Sequence, residues 1–95
     1  MNCLSLNIRG IGEDVKIQWV RRLKIKHRAI FVGLQETQII DHRRIRVKEC
    51  WDSDHLDFEG VDSAGRSGGL ISIWDTRYFM KTEVIKHRCF LIVIG

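Results

Sequence analysis

The 95-residue sequence predicts an α/β fold in a single small domain spanning residues 1–95. Three segments within the first 37 residues indicate this class: an alternating apolar segment, an amphipathic segment of helical period, and a short apolar run rich in β-branched residues. Strand, helix and strand within about 35 residues form a βαβ unit. The two strands of such a unit are parallel, and we expect them to be neighbours joined by a right-handed crossover.

The first strand is predicted at residues 2–8, where apolar and polar side chains alternate. Leu4, Leu6 and Ile8 fall on one face, and a period of two residues is typical of a strand. Cys3 falls on the other face, where we expect a small buried hydrophobic side chain. Two glycines within the next four residues predict a turn.

A helix is predicted to begin at Glu13 and Asp14, because acidic groups in the first turn suit the helix dipole. Basic residues crowd its last turns, which suits the dipole as well. One arc of the helical wheel is apolar and is expected to pack on the sheet. Its members are Val15, Trp19, Val20 and Leu23.

The apolar run Ile30–Gln35 is typical of a buried strand of a parallel sheet. Gln35, Glu36 and Thr37 follow at its carboxyl end, the edge at which open α/β sheets bind ligands. Because parallel neighbours end at the same edge, we expect Asn7 to lie close to Glu36. An amide and a carboxylate there could hold a divalent cation and a phosphate.

The second half of the chain predicts further elements. They are a weaker helix over 41–51, a short strand at 56–61, a glycine-rich turn at 64–69, a strand at 70–74, and a hairpin of 82–86 with 89–94. The tryptophans at 51 and 74, like Trp19, are expected in the core. The four histidines are scattered, and none has a metal-binding spacing to an acid or cysteine, so we expect them at the surface.

Charge is unevenly distributed along the chain. Residues 1–50 hold 11 Lys/Arg against 5 Asp/Glu (+6), and residues 51–95 hold 5 against 7 (−2). A basic first half favours an anionic partner such as nucleic acid, and a well-solvated surface explains it equally well. The sequence has neither a transmembrane-length apolar run nor a signal-peptide pattern. Its three cysteines suggest no disulfide or zinc framework. These features predict an intracellular protein, nuclear or cytoplasmic, without a membrane segment.

Three pieces of sequence, taken in order, carry a family resemblance: Leu6–Gly10, Val32–Thr37 and Gly65–Leu70. Together they resemble the endonuclease/exonuclease/phosphatase superfamily, and within it the apurinic-type endonuclease domain at the N-terminus of plant LINE-type retrotransposon polyproteins. The resemblance implies about the first half of a four-layer α/β-sandwich. It also implies Mg²⁺-dependent hydrolysis of a phosphodiester, with DNA favoured over RNA as the partner.

Carried over residue by residue, the resemblance makes Glu36 the metal-binding glutamate and Asn7 the strand-end asparagine of the same site. Arg9 and Arg66 are the candidate nucleic-acid contacts. Plainer alternatives stay open. Glu36 can also be an ordinary exposed loop acid, Asn7 can bond the turn backbone, and the Gly65–Gly69 loop can be a tight strand connection.

The family's tyrosine, Asp-x-Asn and terminal Ser-Asp-His motifs have no counterpart here, although Ser53-Asp54-His55 spells the last one out of place. We therefore expect the chain alone to lack turnover. A non-catalytic nucleic-acid-binding module and an inert truncated gene product are the alternative interpretations. Without a partner sheet, the apolar segment Phe90–Ile94 is expected to be partly exposed and to lower solubility.

Overall fold

The computed structural model describes residues 2–11, 14–64 and 67–95, with the side chain of Arg44 excepted, and its class is α/β as predicted. The main elements are β1 (Asn2–Asn7), α1 (Asp14–Lys26), β2 (Ala29–Gln35), β3 (Leu56–Val61), β4 (Leu70–Asp75), β5 (Glu83–His87) and β6 (Phe90–Ile94). Two short 3-10 helices lie between β2 and β3, at His42–Arg44 and Val47–Cys50.

The first four strands form one sheet in the order β1-β2-β4-β3. β1 runs parallel to β2, and Asn7 is the register partner of Gln35. The predicted βαβ unit is therefore confirmed. β2 was expected to lie in a parallel sheet. This is wrong for its second neighbour, because β4 runs antiparallel to β2, as it also does to β3. β4 runs back along β3 and pairs between β2 and β3.

The core lies where α1 and the 3-10 helices cover one face of this sheet. Ile17 and Val20 of α1 are buried there with side chains of β2 and β4. The prediction that Val15 and Trp19 pack on the sheet is wrong, because these side chains are 49% and 54% exposed. Each lies two residues from Ile17, a rotation of about 200° around the helix axis, so both project away from the sheet.

Cys3 was expected to be buried, and this is wrong, since its side chain is exposed. β1 is an edge strand, and the β5–β6 hairpin contacts β3 and β4 at the other side of the sheet. The face of β1 that carries Cys3 is therefore left open. By contrast Cys50 is fully buried, and this burial raises the pKa of its thiol to about 11.

The second face of the sheet packs against the β5–β6 hairpin. Phe31, Trp74 and Phe79 form an aromatic cluster there, with ring centroids 5.6–5.9 Å apart. Glu59 of β3 accepts from Lys81 and pairs with Lys86 of β5, each at 3.1 Å. Trp74 is buried as predicted, and so is Trp51 beneath the helix.

The single helix predicted over 41–51 is wrong, because two 3-10 helices occupy this stretch. The carboxylate of Asp41 caps the first by accepting the N–H of Arg43, but Ile45 is extended and ends it. Burial explains the break. An extended Ile45 places its own side chain and that of Val47 in the core, which a continuous helix of this sequence would not do.

A buried lysine joins α1 to the second 3-10 helix. Lys24 is 6% exposed, pairs with Asp52, and holds its ammonium 4.5 Å from the ring centroid of Trp51. The hydrogen bond from Lys24 lowers the pKa of Asp52. No helix within the described ranges is long and apolar enough to cross a membrane.

Candidate functional site

Three loops meet at the carboxyl ends of β1 and β2 and form what we call the strand-end rim, residues 7–11, 35–38 and 67–69. The parallel pairing of β1 and β2 continues into the loops, where the N–H groups of Ile8, Gly10 and Ile11 donate to the carbonyls of residues 35, 36 and 37 at 3.2, 2.7 and 3.1 Å. The rim is thus built by backbone hydrogen bonds, independently of what its side chains do.

The third loop enters the rim because β2 and β4 are antiparallel, so that the start of β4 lies beside the end of β2. The carbonyls of Gly69 and Gly68 accept the N–H groups of Thr37 and Gln38 at 3.2 and 2.9 Å. A Cβ at Gly69 would lie 2.2 Å from Thr37 Oγ1. Only glycine therefore fits between β4 and the Thr37 side chain.

Backbone strain is concentrated at the rim. Four non-glycine residues of the described chain have positive φ, and three of them, Arg9 (47°), Glu36 (53°) and Gln38 (57°), lie here. Left-handed backbone costs a non-glycine residue about 1–3 kcal/mol and persists only where the surroundings enforce it, often at functional sites. At this rim the hydrogen bonds between the loops supply that enforcement.

Glu36 lines a cavity of about 490 Å³, which we call the Glu36 cavity. Gln35, Gly68, Gly69, Leu70, Arg88 and Cys89 line it with Glu36. Glu36 is partly buried, whereas Arg88 is exposed at the turn of the β5–β6 hairpin. Glu36, which follows β2, and Arg88, in the turn of the hairpin, therefore border one opening of a size that admits a phosphate.

The residues predicted from the sequence divide as follows. The backbones of Asn7, Arg9 and Glu36 come together at the strand-end rim. The side chains of Asn7 and Arg9 are exposed there. Arg66 lies outside the described residues. That Asn7 and Glu36 bind a metal, and that Arg9 and Arg66 contact nucleic acid, remain predictions.

The sequence did not predict two features of the structure. Arg88 reaches the Glu36 cavity through the packing of the hairpin on the sheet, which no local pattern encodes. His42 was expected to be an ordinary surface histidine, but its ring lies with the carboxylates of Asp41 and Asp62 in a group that could hold a metal ion. Asp62 follows β3, twenty residues further along the chain, so only the tertiary fold brings it to His42.

The described structure is similar to the crystal structure of the AP endonuclease LMAP from Leishmania major, with a TM-score of 0.56. The two sequences are 15% identical, and the similarity covers 75% of this chain and 22% of that one. The chain thus has part of a fold like that of this AP endonuclease, and it spans about a fifth of the length of that enzyme. No family model matches the sequence, and no curated protein does.

Proposed function

We propose that the chain is part of a magnesium-dependent endonuclease domain that binds DNA at the strand-end rim. The observation that carries this proposal is the convergence of the Asn7 and Glu36 strand ends, in left-handed and hydrogen-bonded loops, within an AP endonuclease-like fold. The described residues of the three sequence pieces behind the family resemblance also meet at this rim. We extend the proposal to an origin in a LINE-type retrotransposon.

The donor groups at the rim fit Mg²⁺. This ion takes oxygen ligands, commonly one or two carboxylates together with waters and substrate phosphate. The Glu36 carboxylate and the Asn7 amide oxygen are such ligands, and the Glu36 cavity leaves room for the waters and the phosphate. When bound, Mg²⁺ supplies Lewis-acid polarisation of the phosphoryl group.

The chain's own cations would hold the DNA backbone. Arg88 lines the Glu36 cavity, and a guanidinium suits a phosphate because its N–H groups donate in a planar fork. We assign to Arg9, which is exposed beside the end of β1, a contact to a neighbouring phosphate, and we assign the same role to Arg66. These contacts position the duplex without reading its sequence.

We further propose that the chain does not turn over alone. No histidine is among the described residues that line the Glu36 cavity, and Glu36 is the single carboxylate there. A group that deprotonates the attacking water is therefore not supplied at this rim. Incubation of supercoiled plasmid with the purified chain and Mg²⁺ is expected to give no nicked product, and sustained nicking would contradict this.

Binding is the sharper test of the site. We expect the chain to bind a DNA duplex containing an abasic-site analogue about tenfold more tightly in Mg²⁺ than in chelator, as measured by fluorescence anisotropy. Glu36→Ala should abolish this Mg²⁺-dependent gain and leave the remaining affinity in place. Glu83→Ala, which removes an exposed acid at the far end of β5, is the matched control.

The same assay separates this proposal from a non-catalytic nucleic-acid-binding module. Such a module would show salt-dependent affinity that responds neither to Mg²⁺ nor to Glu36→Ala. Arg88→Ala is expected to weaken binding and to lower the slope of log K against log salt by about 1, as for one lost phosphate contact. Equal losses from Arg22→Ala, on the exposed surface of α1, would indicate diffuse binding.

A further inference from the structure

A second metal-ligating group lies outside the strand-end rim, where the first 3-10 helix meets the end of β3. Its members are Asp41, His42 and Asp62, whose potential ligand atoms all lie within 4.8 Å of one another. Ligands of a tetrahedral zinc ion lie about 3.4 Å apart, given bond lengths of about 2.0–2.2 Å. Small side-chain rotations would therefore close the group around one ion.

The backbone around the group is fixed from both sides. The N–H of His42 donates to Asp62 Oδ1 at 2.7 Å, and the ring Nδ1 lies 2.5 Å from the same oxygen. One residue further, the N–H of Ser63 donates to the carbonyl of Ile39 at 2.9 Å. The two segments that carry the ligands are thus held together before any ion binds.

The imidazole of His42 lies directly against Gly60, which has no side chain to displace it. A Cβ at Gly60 would lie 2.6 Å from the ring atoms Cγ and Cδ2, so a side chain there would displace the ring. The His42 side chain is 18% exposed, whereas that of Asp62 is 53% exposed. The group therefore has a supported imidazole and an opening to solvent through which an ion can enter.

The opening is a cavity of about 350 Å³, and a second imidazole, that of His87, is among the groups that line it. The cations at this cavity are Lys86, which pairs with Glu59 at 3.1 Å, and Arg88. Arg43 competes for the site. Its Nε and Nη2 donate to the two carboxylate oxygens of Asp41 at 2.9 and 3.0 Å.

We propose that Asp41, His42 and Asp62 form a site for a zinc-class divalent ion, distinct from the proposed magnesium site at Glu36. One imidazole nitrogen and two carboxylate oxygens are ligands that zinc and its first-row neighbours accept, whereas magnesium prefers oxygen alone. The ion displaces the hydrogen between His42 Nδ1 and Asp62 Oδ1, which moves to solvent from a protonated ring or to Nε2 from a neutral one. The neutral ring then binds the ion through Nδ1 and carries its hydrogen on Nε2. The guanidinium of Arg43 limits the affinity by competing for Asp41.

Titration of the full chain with Zn²⁺ by calorimetry, and with Co²⁺ by visible absorption, tests the site. The exposed thiols of Cys3 and Cys89 are replaced by serine in every protein used, because free thiolates would bind the same ions. We expect one ion per chain. His42→Ala and Asp62→Asn should each weaken binding about 10- to 100-fold, because even an outer-shell partner of a metal site is worth that factor.

Arg43→Gln should strengthen binding several-fold, an outcome that a merely structural His42–Asp62 hydrogen bond does not produce. His55→Ala, which removes an exposed histidine outside the group, is the matched control. Far-UV circular dichroism of each apo variant establishes that it is folded, and Asp62→Asn preserves the shape of the carboxylate. The proposal is overturned by unchanged binding in His42→Ala or Asp62→Asn, by an equal loss in His55→Ala, or by no binding to the parent. Unchanged binding in Glu36→Ala is expected, which separates this site from the proposed function.

Discussion

Gly69 combines a left-handed backbone (φ +91°) with close contact to Thr37, and neighbouring Gly68 has the same backbone region (φ +76°) without a contact. Ala at Gly68 should cost about 1–2 kcal/mol of unfolding free energy, from backbone strain alone. Ala at Gly69 adds a clash with Thr37 and with the N–H of Gln38, so we expect about 3–4 kcal/mol in all. Urea denaturation measures both. Equal losses would show that the Gly69–Thr37 contact does not constrain the rim.

Asp75 ends β4 as a buried carboxylate whose side chain is 3% exposed. Its oxygens accept the N–H, Nε and Nη2 of Arg77 at 2.9, 3.0 and 2.6 Å. The hydrogen bonds from Arg77 lower the pKa of Asp75 below the ordinary value, although burial opposes them. The carboxylate therefore stabilises the fold above the unfolded-state pKa of about 3.9, and this contribution is lost as the pH falls through the lower, folded-state pKa.

We accordingly expect the melting temperature to fall steeply when the pH is lowered below about 4. Asp75→Asn should be less stable at neutral pH, and its melting temperature should fall less at acid pH, because the amide does not titrate. Arg77→Leu should also reduce the acid-induced fall of the melting temperature, since without the guanidinium the pKa of Asp75 returns toward its ordinary value. Thermal melts by circular dichroism across pH 2–7 measure this fall. An equally steep fall in both variants would contradict the assignment.

At the scale of elements, the β5–β6 hairpin has two unlike faces. Val84, Leu91 and Val93 are partly buried toward the four-stranded sheet, whereas Phe90, Ile92 and Ile94 are 40–45% exposed. The predicted partial exposure of this apolar segment is thus confirmed. Exposed apolar strands with unpaired edges favour aggregation.

Ile92→Lys should therefore raise the solubility of the chain and change its unfolding free energy by about 0.5 kcal/mol or less. Val93→Lys is the matched substitution on the other face. It buries an ammonium against the sheet and should destabilise the chain by about 2 kcal/mol or more. Light scattering against concentration and urea denaturation measure the two effects. Equal solubility of Ile92→Lys and the parent chain would place aggregation elsewhere.

The elements differed in how well the sequence predicted them, and the reason is physical. The strands that form β1, β2 and β4 show strong local periodicity, and their existence follows from it. The buried arc of α1 was misjudged because Lys24 occupies it: a buried lysine paired with Asp52 and lying over Trp51 has no apolar signature. The prediction of one helix over 41–51 was wrong because the burial of Ile45 in the core outweighed local helix propensity.

At the scale of the whole molecule, the strand-end rim was only half predictable. Parallel pairing of β1 and β2 follows from the βαβ rule, so the arrival of both strand ends at one edge, with Asn7 beside Gln35, could be deduced. The approach of Arg88 and the gathering of Asp62 with His42 could not, because each depends on how one sheet or loop docks on another. Contacts of this kind leave no periodic signal in the chain.

The strand order β1-β2-β4-β3 also sets the order in which the molecule opens. β2 and β4 are paired on both sides, β1 and β3 on one side, and within the described chain β5 and β6 pair with each other alone. Backbone amides should therefore exchange with deuterium first in the hairpin, later in the two edge strands, and last in the central pair. Pulse labelling with mass spectrometry would resolve these steps. Uniform exchange across all six strands would mean that the chain opens as one unit.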